Sequence, residues 1–164
     1  MTLQLTKKHN FDAVFDSQKV YRLVLEAMSN PGRVVRLNEY TILSVAMTLL
    51  DNEVSFCVCG NPALSEEIAT LTLAKREALE TADFIFVCNP DELKNAIERA
   101  KCGTLADPHK SATVIIQGNG LEKDAIALRD AQNYEYPQGI DLIFITDGGE
   151  LSGICRSVRR KRSH

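Results

Sequence analysis

Tyr136-Pro137-Gln138-Gly139-Ile140-Asp141-Leu142-Ile143-Phe144-Ile145 is a turn signal running straight into a short apolar run rich in β-branched and aromatic residues. Such a run reads as a buried strand. An apolar strand without polar alternation needs cover on both faces, which points to the interior of an α/β sheet. The same reading applies to Ala82-Asp83-Phe84-Ile85-Phe86-Val87-Cys88, and more loosely to Val54–Cys59 and Ala112–Gln117. Asp141 and Asp83 each open their strand, but the likeness is too short to be an internal repeat.

Helical patterns separate these strands. Val20, Leu23, Val24, Ala27 and Met28 recur at helical spacing and form one apolar face. Asp16 or Ser17 is placed to cap that helix, and Pro31 ends it, because the residue before proline is pushed out of the α region. Asn30-Pro31-Gly32 is then a tight turn leading to a strand over Arg33–Leu37. Ile42, Val45, Ala46, Leu49 and Leu50 mark a second helix, running to about Asp51-Asn52.

Gly60-Asn61-Pro62 stops the strand Val54–Cys59 and starts a helix with Leu64 and Ile68 inside. Thr70-Leu71-Thr72-Leu73 alternates and is expected to be a short edge strand. Asn89-Pro90-Asp91-Glu92 supplies a cap, a first-turn proline and acids suited to the helix dipole. Leu93, Ala96, Ile97 and Ala100 form the buried stripe there, and Gly103 is expected as the left-handed C-cap. A further helix is expected over Leu121–Ala131, and a hairpin at Asp147-Gly148-Gly149-Glu150 before Leu151–Val158.

The fold class is therefore α/β, a mixed sheet of five or more strands with helices on its faces, centred on Asp83–Cys88, Ala112–Gln117 and Ile140–Ile145. At 164 residues the chain suits one domain spanning 1–164, with flexible ends at 1–10 and 159–164. A hydrophobic share of 45% and a charged share of 25% are those of a soluble globular protein. No run reaches the length of a membrane span and no secretory segment opens the chain, so the expected location is cytoplasmic.

A net charge of −3 gives no global pull toward nucleic acid. The basic tail Arg156, Arg159, Arg160, Lys161, Arg162 reads first as a solvated end and second as a grip for an acidic partner or phosphate. Five cysteines without a CxxC, and histidines at no ligand spacing from a Cys pair, argue for reduced structural thiols and against a metal site.

The common catalytic signatures are absent: no GxxxxGK[ST], no GxGxxG after a strand, no HExxH, no GxSxG. Basic groups remain as candidates for anion binding or a subunit interface. Arg22 lies on the polar side of the first helix, Arg33 follows its terminating turn, and Lys110 and Arg156 lie at loop or strand ends. The plain alternative is that they are solvated. His109 and Lys110 beside Asp107 suggest acid-base chemistry, against the simpler reading of an Asp-Pro turn facing water.

Three ordered stretches carry a family resemblance: Ala27-Met28-Ser29-Asn30-Pro31-Gly32-Arg33; Gly103-Thr104-Leu105 with Asp107-Pro108 and Ser111-Ala112-Thr113; and Tyr136-Pro137-Gln138-Gly139-Ile140-Asp141-Leu142. Together they resemble the PhnH family, the H proteins of the bacterial carbon-phosphorus lyase system. The resemblance implies a homodimeric α/β protein similar in fold to pyridoxal-phosphate-dependent transferases but without that cofactor. It also implies a place in a complex with the G, I and J proteins. That complex converts ATP and a phosphonate such as methylphosphonate to ribose 1-methylphosphonate 5-triphosphate with loss of adenine. No catalytic residue is carried over. The alternatives are a non-catalytic scaffold or an unrelated domain binding small anions or nucleotides.

The chain departs from the family pattern in two places. Gly118-Asn119-Gly120 passes directly to Leu121-Glu122-Lys123 where the family continues through a Gly-Pro-Gly turn and a further stretch, and Cys155 stands where the family has proline.

Overall fold

A computed structural model describes residues 11–158. The flexible ends expected at 1–10 and 159–164, and the tail residues Arg159, Arg160, Lys161 and Arg162, lie outside the described residues.

The order of elements is α1 (Phe15–Ser29), β1 (Val35–Arg36), α2 (Ile42–Leu49), β2 (Ser55–Cys59), α3 (Pro62–Thr72), β3 (Lys75–Arg76), β4 (Phe84–Val87), α4 (Leu93–Arg99), β5 (Thr113–Gln117), α5 (Glu122–Asp130), β6 (Asp141–Ile145) and β7 (Glu150–Ile154). Short 3₁₀ turns occupy Pro90–Glu92 and Pro108–Lys110. One seven-stranded sheet runs in the order β1-β7-β6-β5-β4-β2-β3. The five strands β3, β2, β4, β5 and β6 are parallel; β7 pairs antiparallel with β6, and β1 pairs antiparallel with β7. The expected mixed α/β sheet is present, with all three central runs as strands.

Alternation along the interior strands divides the core into two layers. Phe56, Phe86, Ile115, Ile143 and Ile145 point to the face covered by α1, α2 and α3. Ile85, Val87, Val114, Ile116, Leu142 and Phe144 point to the face covered by α4 and α5. The uninterrupted apolar runs are thus explained by burial on both sides, each full side chain stabilising the fold by about 1.5–3 kcal/mol.

Several local expectations need correction. Thr70–Leu73 is not a strand. The helix continues through Thr72, whose hydroxyl donates to the Ile68 carbonyl, and Leu73 closes it in the left-handed region at φ 61°. The edge strand follows at Lys75–Arg76, where two exposed charged residues blunt a sheet edge. Asp16 and Ser17 do not cap α1. Asp12 does, its carboxylate accepting from Val14 and Phe15 N–H at 2.8 and 2.7 Å, while Asp16 sits in the first turn and accepts from the Asp12 N–H and the Tyr40 hydroxyl. Gly103 is not the cap of α4, which ends at Ala100 in extended backbone. Its φ of 77° instead lets the chain pass close to Pro108, whose carbonyl oxygen a Cβ at Gly103 would meet at 2.8 Å. The strand expected over Arg33–Leu37 reduces to Val35–Arg36.

The chain reverses direction in the sheet at one point. From β2 it goes through α3 to β3 at the edge, then crosses back so that β4, β5 and β6 extend the other way. In open α/β sheets the crevice beyond the carboxyl ends at such a reversal is a common ligand position. Here the two loops close on each other: the Cys88 N–H donates to the Cys59 carbonyl at 2.9 Å, and a Cβ at Gly60 would lie 2.6 Å from Asn89 Cβ.

Candidate functional site

The three motif stretches, far apart in the chain, meet at the amino ends of β5 and β6 beside the end of β7. Gly139 N–H donates to the Cys102 carbonyl at 3.0 Å, Gln138 Nε2 to the Gly103 carbonyl at 3.1 Å, and Asp141 N–H to the Ala112 carbonyl at 3.3 Å. These bonds join the third stretch to the second. The first stretch arrives through Met28, whose carbonyl oxygen accepts from the Cys155 thiol at 3.2 Å. A Cβ on Gly153 would collide with Met28 Sδ at 2.3 Å, so glycine is what lets α1 lie against β7.

Arg156 ties the cluster together. Its backbone N–H donates to Asp141 Oδ1 at 2.6 Å, and its Nη1 donates to the Pro108 carbonyl at 2.8 Å and the Ser111 hydroxyl at 3.3 Å. Asp141 is thus explained: the acid that opens β6 fastens the chain leaving β7. Cys155 accommodates the departure from the family's proline by supplying a thiol donor to α1. Burial raises its pKa first, with Asp141 adding to the effect and Arg129 and Arg156 opposing it.

Lys110 sits in the same loop, exposed, with Nζ 3.3 Å from Asp107 Oδ2. His109 Nε2 lies 3.9 Å from Asp107 Oδ1. The loop folds on itself through Asp107 N–H to Thr104 Oγ1 at 2.9 Å and Lys110 N–H to the Asp107 carbonyl at 3.1 Å. The Asp-Pro turn is therefore present, and its charged side chains face water. Leu105 and Tyr136, both motif residues, project outward at 53% and 81% exposure.

The structure brings Lys110 and Arg156 to one loop and puts the other two candidates elsewhere. Arg22 is exposed on α1. Arg33 is exposed and pairs with Glu26 at 2.8 Å.

Two groups escaped the sequence reading. Lys101 is half-buried and its ammonium is hydrogen-bonded to Asp83 Oδ1. Asp83 Oδ2 accepts from the Ser55 N–H at 2.9 Å and hydroxyl at 3.2 Å. Burial works to raise the Asp83 pKa, but the Lys101 and Ser55 hydrogen bonds outweigh it and hold the carboxyl below its ordinary value. Arg129 is buried at 2% exposure, forks onto Asp130 Oδ1 through Nε and Nη2, and donates to the Cys155 carbonyl at 3.1 Å and to the Val158 carbonyl. An Arg near the end of an amphipathic helix carried no sign of this. Asp opening a strand was the visible clue to Asp83.

All five cysteines are free and half-buried. Burial lifts Cys59 to about 12 and Cys88 to about 11, which keeps both as thiols at neutral pH and poor nucleophiles. Among the described residues no group of three or more His, Cys, Asp or Glu is placed to hold a metal, and no helix is long and apolar enough to cross a membrane. The arrangement offers charge and hydrogen-bond donors at one end of the sheet, and no nucleophile paired with a base among the hydrogen bonds described.

Comparison with known proteins gives the cluster a context. The chain is 27% identical over 170 residues to a protein of Stutzerimonas stutzeri named as a candidate C-P lyase subunit protein, HtxG, covering 86% of this chain and 84% of that one. A sequence model of the family described as bacterial phosphonate metabolism protein (PhnH) matches residues 9–129. The match takes in the first two motif stretches and stops short of the third. On a match over most of its length, the chain belongs to the PhnH family of bacterial phosphonate metabolism proteins.

Proposed function

We propose that this protein is a subunit of a carbon-phosphorus lyase complex that works with the G, I and J proteins. Within it the chain assists the ATP-dependent formation of ribose 1-methylphosphonate 5-triphosphate from methylphosphonate. The family match over residues 9–129 carries this reading, and the relative named as a C-P lyase subunit supports it. The described residues add a physical reason for a subunit role: Arg156 and Arg129 are committed to holding backbone segments, and an independent catalyst needs a nucleophile with its base or an equivalent constellation. The test is co-expression with the G, I and J proteins followed by size-exclusion chromatography. Co-elution in a fixed ratio supports the reading, and elution of this chain by itself opposes it.

The resemblance in fold to pyridoxal-phosphate-dependent transferases, without the cofactor, belongs to the same proposal. A Schiff base needs a free, positioned lysine. Lys101, the half-buried lysine of the described residues, has its amine engaged by Asp83. Purified protein absorbing at the Schiff-base band, and losing it on a single Lys substitution, would contradict this. The homodimer is likewise proposed, and sedimentation of the isolated chain decides it.

A second reading rests on Arg156, from the chain after β7, reaching the 104–111 loop that carries Lys110. A guanidinium and an ammonium group at one loop suit a phosphate or phosphonate anion. Calorimetry with ATP and with methylphosphonate tests it: heat lost on Arg156 or Lys110 substitution favours anion binding, and no heat with either ligand leaves these groups structural.

A further inference from the structure

Among the polar residues on the outer side of α1 and its entry runs a set of exposed apolar ones. Val14, Tyr21 and Leu25 are 70%, 53% and 51% exposed. With Gln18 they fall at 14, 18, 21 and 25, the alternating four and three spacing that keeps one seam along a helix for a second helix to pack on. This seam is separate from the face of α1 that buries Val20, Val24 and Ala27 in the core. Beside it runs an open groove of about 390 Å³, lined by Ala13 and Val14 just before α1, by Ser17, Gln18 and Tyr21 of α1, and by Thr48 of α2. A groove between two helices next to an apolar seam has the form that receives a third helix.

Charge selects the occupant. Lys19 and Arg22, three residues apart, stand side by side along one flank of the seam. Neither makes an ion pair among the described residues. Lys19 Nζ instead lies 4.4 Å from the centre of the exposed Phe15 ring. The hydrogen bonds and ion pairs of the acids of α1 go to other groups: Asp16 takes the Asp12 N–H and the Tyr40 hydroxyl, with Lys19 only a weaker charge near it, and Glu26 pairs with Arg33. Residues 1–10 and 159–164 contain no Asp or Glu side chain to neutralise this flank. A second copy seated on the seam about a two-fold axis would set Lys19 and Arg22 against their own equivalents, and like charges at an interface oppose association.

We propose that the α1 seam, from Val14 to Leu25, docks an acidic amphipathic helix of another subunit, with Tyr21 and Leu25 as apolar anchors and Lys19 and Arg22 meeting its carboxylates. This rests on the subunit reading above and specifies the surface and chemistry by which it would be met.

The test measures the affinity of the purified chain for the assembled G, I and J proteins, with wild type, Tyr21→Ala and the double reversal Lys19→Glu/Arg22→Glu. Each variant is expected to bind at least about tenfold more weakly, since central aromatic anchors and interfacial charges commonly carry that much. The wild-type affinity is expected to fall as salt rises. Melting temperatures should match wild type because these side chains are exposed, which separates lost docking from lost folding. Wild-type binding with both variants undiminished overturns the α1 surface and leaves the subunit reading standing. Variants that turn a dimer into monomers while binding the complex normally also overturn it, by making the second copy the occupant. Failure of wild type to bind at all removes both.

Discussion

Arg156 Nη1 lies 2.8 Å from the carbonyl oxygen of Pro108, so a residue after the last strand holds the loop that precedes β5. The same nitrogen reaches the Ser111 hydroxyl, and the Arg156 backbone is fixed by Asp141. Replacing Arg156 with Met keeps the aliphatic stem and removes both side-chain bonds. The expected cost is about 2 kcal/mol, because hydrogen bonds from a charged donor contribute about 1.5–3 kcal/mol. Urea unfolding at pH 7 checks it, and an unchanged midpoint would show that the loop is held by other means.

Arg129 is the more severe site. Its guanidinium is buried and satisfies Asp130 together with the carbonyls of Cys155 and Val158. Arg129→Met removes the guanidinium from the Asp130 carboxylate and from the Cys155 and Val158 carbonyls. Breaking a buried pair from one side costs about 3–5 kcal/mol, and the low end is expected because Asp130 keeps 23% of its side-chain surface. Amide exchange should quicken first over residues 155–158, where the bonds are lost.

The Asp83 carboxyl gives a pH dependence with a definite sign. Its pKa is lower in the folded protein than its ordinary value. The stability it contributes is therefore present above the unfolded pKa, about 3.9, and is lost as pH falls through the lower folded value. Asp83→Asn should lower the urea midpoint at pH 7. It should also flatten the loss of stability on going down from about pH 5, since the group that titrates is gone. A variant with wild-type acid sensitivity would place that sensitivity in other carboxylates.

Leu73 offers a gain. It ends α3 at φ 61° and is 72% exposed. An L side chain in the left-handed region costs about 1–2 kcal/mol, and glycine avoids that at the cost of some unfolded-state entropy. Leu73→Gly is expected to stabilise by up to about 1 kcal/mol, read as a rise in the urea midpoint at constant slope.

The sequence made the sheet interior legible because strands buried on both faces leave no polar alternation, as at Phe84–Val87 and Asp141–Ile145. Helix starts were legible where chemistry marks them: Asn61 accepts from the Leu64 N–H and Asn89 from the Asp91 N–H. The end of α3 was misread because Thr70-Leu71-Thr72-Leu73 alternates in sequence while lying on a helix, where Thr72 turns inward and Leu71 and Leu73 outward. β3 was hidden by its length and its two charges. At the cluster, the motif stretches could be recognised one by one, but their meeting around Arg156 depends on long-range contacts. Arg129 and Lys101 are not legible in the sequence because burial of a paired charge leaves no local pattern.

The most direct measurement is adenine release from ATP and methylphosphonate, assayed with this chain alone, with the G, I and J proteins alone, and with all of them together. A subunit role requires little release in the first two mixtures and turnover in the third. Turnover by the isolated chain would contradict it by showing an autonomous enzyme, and equal turnover with and without the chain would contradict it by showing no part in the step.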